Sequence, residues 1–556
     1  MPTEPVTTST NPTPMHTSHA GSTARQDQGP EPDRILLGVT AVAVAVGTVL
    51  RFLPRSGMWL DEALTANIAD LPIGEIPEAL RRDGHPPLFY VLTHLWASIG
   101  GRSDWWLRAL PGVCSMLSLP LTYLAGRRLA SRAGAEGLGA RRTGLAALAI
   151  AAVMPFGIRY AAELRMYSLV ILLVTGGYLL ADDLLSGRLG STARGLAPRA
   201  AGAALVAATL LWTHYWSMWF LAAVGLLALW RVWRAPDAPR RAGAVALLAA
   251  LAAGGVLFLP WLPDLLYQAQ HTGTPWGERF GPASVAVITL VDFAGARFGI
   301  AQLLSYLLAA LAGLAAVAVL GRDGRTVLGD PVAARVRPEV VVGTATMAIG
   351  WLTAYVSGNT FSSRYAAVVF PLFVLCVAAG VAVLRRPLVA AAVLAAIVAA
   401  CTWGSISVVR FERSQTDVVA EQIAADLAAH GGDAVVVACP DQLGVATHRQ
   451  LERELEDPPE VVPYPSGGDP RFVDWVDYGE RNESSDPAEF VAALEERTSG
   501  DTTVYVVAAF TYRTFEGRCE QVFNLLAAGR EVTVLVERDD DRHDEVANLW
   551  ALRPPA

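Results

Sequence analysis

A chain of 556 residues in which 53% are hydrophobic and only 17% charged cannot be a string of ordinary soluble domains, so most of it must sit in lipid. A formal net charge of -8 at pH 7 argues against nucleic acid as a partner, because a phosphate backbone calls for a basic face. Membrane lipids are the partner to pursue.

Residues 1–34 are rich in Pro, Thr and Ser and lack the apolar bulk that offsets the entropy of ordering; they read as a disordered cytoplasmic tail. The tail lacks the basic-then-apolar layout of a cleavable signal, so the first apolar run reads as an uncleaved anchor. Crossing the hydrocarbon core takes about 20 mostly apolar residues. About eleven stretches read as spans: 35–53, 108–126, 143–158, 167–185, 200–213, 217–232, 242–260, 302–320, 339–357, 366–384 and 387–408.

Arg-rich connections stay in the cytoplasm, and five qualify: 127–142, 186–199, 231–241, 321–338 and 385–387. The outer face then receives 54–107, the stretch around 159–166, the turn near 213–216, 263–301, 358–365 and everything after about 409. Counting 86–100 as a further span would turn every later basic loop outward. That segment is short and preceded by Pro-Pro, and it reads as an interfacial or re-entrant helix on the outer side, as does 283–295. The result is a multi-pass plasma-membrane protein with its N-terminus in the cytoplasm.

After residue 409 charges return and apolar runs shorten to 433–439, 502–510 and 531–537, with helix-like stretches at 417–430 and 520–529. The expected organisation is a tail (1–34), a polytopic α-helical membrane core (35–408) with its first outer loop at 54–107, and an extracytoplasmic α/β domain (409–556). The Asp-, Glu- and Pro-rich region 451–488 reads as loop. Cys114, Cys376 and Cys401 fall in spans, whereas Cys439 and Cys519 fall in the outer domain, where a disulfide and two free thiols are both open. No spacing resembles a zinc site.

Sorted by side, the polar residues near the spans converge on the outer face. "MWLDEALTANIAD" (58–70) carries Asp61 and Glu62, "GHPPLFY" carries His85, and "DWWLRALPG" carries Arg108. "RYAAELRMYSL" offers Arg159, Glu163, Arg165 and Tyr167; "THYWSMW" offers His214 and Tyr215; "NTFSSRYAAVVFPL" brings Arg364 and Tyr365. Ionisable groups at membrane depth cost at least a few kcal/mol each unless paired or wet, which points to a shared cavity. Carboxylates, guanidiniums and a histidine suit a phosphate-bearing substrate and one proton transfer. Plainer readings stand beside this one. The acid pair can be a solvated helix start, Arg108 and Arg364 snorkelling boundary residues, Glu163 and Arg165 a local ion pair, and the tryptophans of 212–219 an interfacial belt.

Taken together, "MWLDEALTANIAD", "GHPPLFYVLTHLW", "WWLRALPG", "AAELRMYSL" and "SSRYAAVVFPL" resemble the GT-C membrane glycosyltransferases, nearest the protein O-mannosyltransferase and aminoarabinose-transferase group (glycosyltransferase family 39 and bacterial relatives), over residues 35–408. The resemblance implies a polyprenyl- or dolichyl-phosphate sugar donor, inversion in a single displacement, and Asp61 and Glu62 as the catalytic acids, Asp61 as general base. His85 to Leu88 match the family's His-Pro-Pro-Leu stretch and Arg108 its arginine near the second span. His85, Arg108, Glu163, Arg165, Tyr167, His214, Arg364 and Tyr365 are the expected substrate-binding residues. The chain departs from the eukaryotic members in having no room for a β-trefoil insert between 263 and 301, and the terminal α/β domain lies outside the shared core. No residue type here separates mannose from arabinose, glucose or an aminosugar, and protein, glycan and lipid acceptors are all open. Two adjacent acids can hold a divalent metal, yet several arginines neutralise phosphate without one, so no obligatory metal or other cofactor is expected. The alternative function is a transporter or flippase of a lipid-linked sugar.

Overall fold

The computed structural model describes residues 31–53, 56–132, 137–273, 280–295, 299–320, 326–328, 338–357, 360–384 and 386–555. Nearly all of the N-terminal tail, and most of the basic connection 321–338, lie outside the described residues.

Each of the eleven apolar stretches is mainly helical. α1 (Glu31–Phe52) leads into α2 (Leu60–Asp70), α3 (Ile76–Asp83) and α4 (Leu88–Gly100), and then into α5 (Asp104–Arg132). α6 (Leu138–Val153) and α7 (Pro155–Ala161) are one apolar run bent by 54° at Pro155, where the missing amide and the ring interrupt the helix. α8 (Tyr167–Leu185), α9 (Ala193–Thr213), α10 (Ser217–Arg234), α11 (Ala238–Phe258), α12 (Leu262–His271), α13 (Pro282–Phe293) and α14 (Ile300–Val317) follow. A short hairpin of β1 (Ala318–Leu320) and β2 (Thr326–Leu328) precedes α15 (Pro338–Ser357), α16 (Phe370–Val383) and α17 (Pro387–Arg410).

Among the described residues, 7 helices are long and apolar enough to cross a membrane, or 8 with α6 and α7 taken as one bent span. The expected eleven are not reached on that measure. α14 and α16 are shorter apolar helices, and Arg231, Arg234 and three tryptophans dilute α10. α4 and α13, read from sequence as too short to cross, are helices of 13 and 12 residues.

Beyond α17 come β3 (Glu412–Ser414), α18 (Thr416–His430), β4 (Ala434–Cys439), α19 (Asp441–Glu454), β5 (Glu460–Pro463), α20 (Tyr478–Ser484), α21 (Pro487–Arg497), β6 (Thr503–Ala508), α22 (Arg518–Ala527), β7 (Glu531–Val536), β8 (His543–Glu545) and β9 (Asn548–Arg553). The main sheet has the order β5-β4-β6-β9-β7, with β4 parallel to β5 and β6 and β9 antiparallel to β6 and β7. Helices cover both faces, so β4 reads as an unbroken apolar run, AVVVAC, rather than an alternating one. The region 451–488 is not all loop. It contains the end of α19, β5 and α20, whose few residues are too short to announce themselves against the surrounding acids and prolines. Cys439, at the end of β4, and Cys519, in the first turn of α22, form a disulfide; Cys114, Cys376 and Cys401 are buried and take no part in one.

Candidate active site

The acid pair opens α2, where carboxylates favourably meet the positive end of the helix dipole. Successive helical residues point about 100° apart, and the two acids consequently face different surroundings. Asp61 looks into a cavity of about 590 Å³, whereas Glu62 turns into the packed interior at 1% exposure.

Around Asp61 the chain assembles an ionic relay from four separate segments. Arg364, on a 3-10 helix of two turns at Ser363–Val368, reaches Asp61 Oδ2 with Nη1 at 2.5 Å. Arg165, from the turn between α7 and α8, lies with Nε 3.9 Å from the same oxygen and donates from Nη1 to the Asp61 carbonyl at 3.2 Å and to Thr65 Oγ1 at 2.9 Å. The other Arg165 nitrogen, Nη2, is 3.0 Å from His85 Nε2. Guanidinium only donates, so His85 accepts at Nε2, carries its proton on Nδ1, and donates it to Asp83 Oδ2 at 2.8 Å. Tyr90 donates to the same Asp83 oxygen at 2.9 Å. Burial pushes the Asp61 carboxyl up, but the charges of Arg364 and Arg165 above all outweigh it and hold the group below the ordinary carboxylate range. Asp61 is therefore an anion with Oδ2 engaged, while Oδ1 has no protein partner among the described residues.

Glu62 and Arg108 belong to a different arrangement. Arg108 grips Glu62 through both arms, Nε to Oε1 at 2.8 Å and Nη2 to Oε2 at 2.6 Å, and the Leu164 amide donates to Oε1 at 2.7 Å. Arg108 also donates to the carbonyls of Ser56 at 2.7 Å and Gly57 at 3.1 Å, pinning the approach to α2. Glu163 does not pair with Arg165; it takes Arg413 Nη2 at 2.9 Å and has Arg159 at 4.0 Å. Arg159 in turn reaches Asp292 at 3.2 Å. Glu62, Arg108 and Glu163 line a smaller hollow of about 280 Å³ on the other side of the α2 start, and not the main cavity.

The main cavity thus gathers seven of the ten residues singled out in the sequence: Asp61, His85, Arg165, Tyr167, His214, Arg364 and Tyr365. His214 ends α9 and sits 5.6 Å, ring to ring, from both Tyr167 and Tyr365, while Trp216 stacks on Tyr365 at 5.5 Å. Three buried donors, Arg165 Nε, Arg364 Nε and the Tyr167 hydroxyl, have no hydrogen-bond partner among the described residues. Unpaired donors buried together are costly in isolation and ready for an anion.

Sequence reasoning missed the contributions of the C-terminal region. Gln442, Trp475, Tyr512, Asp544 and Glu545 complete the cavity wall. Arg413 packs over Trp59 at 4.7 Å and, with Arg159, also meets Asp544. No local motif marks these residues, since they meet α2 only through the tertiary fold. The Asp61 carboxylate faces two guanidiniums, and among the described residues no group of three or more His, Cys, Asp or Glu is arranged to hold a metal ion.

No family model matches the chain, and no curated protein matches it in sequence. Solved structures do match. ArnT from Cupriavidus metallidurans in the apo state is similar with a TM-score of 0.54 and 14% identity, over 94% of this chain and 98% of that one. The same protein bound to undecaprenyl phosphate is similar with a TM-score of 0.50 and 15% identity, over 93% and 97% of the two chains. The chain therefore has the ArnT-like GT-C fold that its motifs suggested. Coverage of 94% also corrects the expectation that the likeness stops near residue 408, because it takes in most of the terminal α/β region.

Proposed function

We propose that the chain is a membrane glycosyltransferase that moves a sugar from a polyprenyl-phosphate donor to an acceptor hydroxyl on the outer face of the membrane, inverting the anomeric centre. One observation carries this reading: Asp61, with Oδ2 engaged and Oδ1 open, shares a cavity with three donors that make no hydrogen bond among the described residues, Arg165 Nε, Arg364 Nε and the Tyr167 hydroxyl. The shared fold with a protein crystallised with undecaprenyl phosphate supports the same class of donor.

In the transfer, the acceptor oxygen forms its bond to the anomeric carbon as the bond from that carbon to the phosphate oxygen breaks. The acceptor proton passes to Asp61 Oδ1, and the phosphate leaves with its charge against Arg364 and Arg165. A phosphate is stable as an anion, so the leaving group needs no general acid. Glu62 and Arg108 act by holding the start of α2, and His85, locked by Asp83, orients Arg165. Mannose is the first sugar to test, and protein, glycan and lipid acceptors are all to be offered.

The test presents purified protein with a panel of radiolabelled polyprenyl-phosphate sugars and acceptors. Release of the sugar from its phosphate, with an inverted product, is expected for one donor. Movement of intact donor between leaflets of reconstituted vesicles, with no sugar released, would replace this reading by transport.

A further inference from the structure

α2 begins at Leu60, and its N-cap residue Trp59 provides no side-chain hydrogen bond. The first amides of a helix need acceptors from elsewhere, and a buried one left without is costly. The acceptor comes from far along the chain. Leu60 donates its amide to Glu545 Oε2 at 2.7 Å, across 485 positions of sequence. Glu545 is itself held in place: Ser414 Oγ donates to Oε1 at 3.1 Å, the Gln415 amide donates to its carbonyl at 3.0 Å, and β3 pairs with β8 so that Ser414 lies opposite Glu545. At 6% exposure the side chain is buried, yet it contributes to the cavity wall beside Asp61.

We propose that Glu545 is a positioning residue for Asp61, which makes the C-terminal α/β region a working part of the active site; this rests on the transferase reading above. Its carboxylate caps the first turn of α2 and meets the positive end of the helix dipole. Without the cap that turn frays, and Asp61 loses its fixed relation to Arg364 and Arg165. The charged and titratable groups around Glu545 are Asp61 on α2, Arg413 on β3, Asp544 beside it on β8, and Tyr512 from the segment before α22. Burial pushes the Glu545 carboxyl up to about 7; the bonds from Leu60 and Ser414 and the charge of Arg413 pull it down, and Asp61 pushes it further up. The ionised form is the stronger cap, so turnover falls as pH drops through that value.

The experiment uses the full chain in detergent, with E545A and E545Q. Hydrogen exchange over residues 58–66 and the kcat and donor KM are measured between about pH 5.5 and 8.5. The Leu60 amide is expected to exchange about tenfold faster in E545A, with kcat down about tenfold and donor KM within about twofold of the parent. E545Q keeps an oxygen that can accept from Leu60 but cannot ionise; its kcat is expected to stay above that of E545A, close to the parent's low-pH value at every pH, and to lose the acid limb near pH 7. Unchanged exchange at Leu60 in both variants, or an acid limb that persists in E545Q, overturns the proposal. Should the parent release sugar from no polyprenyl phosphate, the transferase reading fails by itself, and exchange at Leu60 alone decides whether Glu545 caps α2.

Discussion

Replacing Arg108 by alanine separates a structural acid from a catalytic one. The guanidinium is 6% exposed and its partner Glu62 1%, and two short bonds join them in a fork. Removing one member of a buried pair leaves the other charge uncompensated, at a cost of about 3–5 kcal/mol. The carbonyls of Ser56 and Gly57 lose their donor as well, at about 1–3 kcal/mol for each one that water does not reach. R108A is therefore expected to lose at least about 3 kcal/mol of stability, read by thermal unfolding in detergent or by titration into a denaturing surfactant. In the double variant E62L/R108M both charges leave together, and about half or more of that loss is expected to return. A donor titration runs in parallel, because a residue that binds the phosphate directly would weaken donor affinity at unchanged stability. An R108A protein that melts like the parent but binds donor poorly would refute the reasoning.

Asp61→Asn is expected to abolish transfer while leaving the melting temperature within a few degrees and donor binding intact; residual turnover above about one hundredth of the parent would remove Asp61 as proton acceptor. Asp441 sits 3% exposed beneath Tyr478, and burial pushes its carboxyl up to about 7 against the pull of the Tyr478 hydrogen bond and Arg481. A raised carboxyl holds its proton more tightly when folded, so its stabilisation is complete below the ordinary value of about 4 and is lost as pH rises through about 7. D441N is then expected to be more stable than the parent at pH 8 by up to about 4 kcal/mol, and the gap is expected to close as the pH falls below about 4, a difference that a pH series of melting curves would show or deny. Cutting the Cys439–Cys519 link, which closes a separation of 80 residues, with C519S is expected to cost about 2–5 kcal/mol, and an unchanged melting curve for the C-terminal region would contradict this.

The helices were legible because apolar runs of this length have few other fates, and the motif residues were legible because each sits at a run's end. Asp61, Arg165 and Arg364 could be brought to one side by orientation alone, and in the structure they do share one cavity. Two things lay out of reach. The partition of the acid pair depends on a helical step of about 100° and on what packs beside it, so adjacency in sequence concealed that Asp61 and Glu62 face different hollows. The span count depends on helix length, and α14 and α16 are apolar enough but short. Glu545, Asp544 and Arg413 lie in polar surroundings where acids and arginines are common, and only the pairing of β3 with β8 brings them to α2.

The bond between Leu60 and Glu545 also orders events during synthesis. The helix bearing Asp61 is made early, but its cap emerges 485 residues later. Until that final stretch has been made and has docked, the first turn of α2 lacks the acceptor for its Leu60 amide, however much of the helical core has already formed. A chain cut short before its last strands is then expected to carry Asp61 on an uncapped turn, whatever the state of its helices.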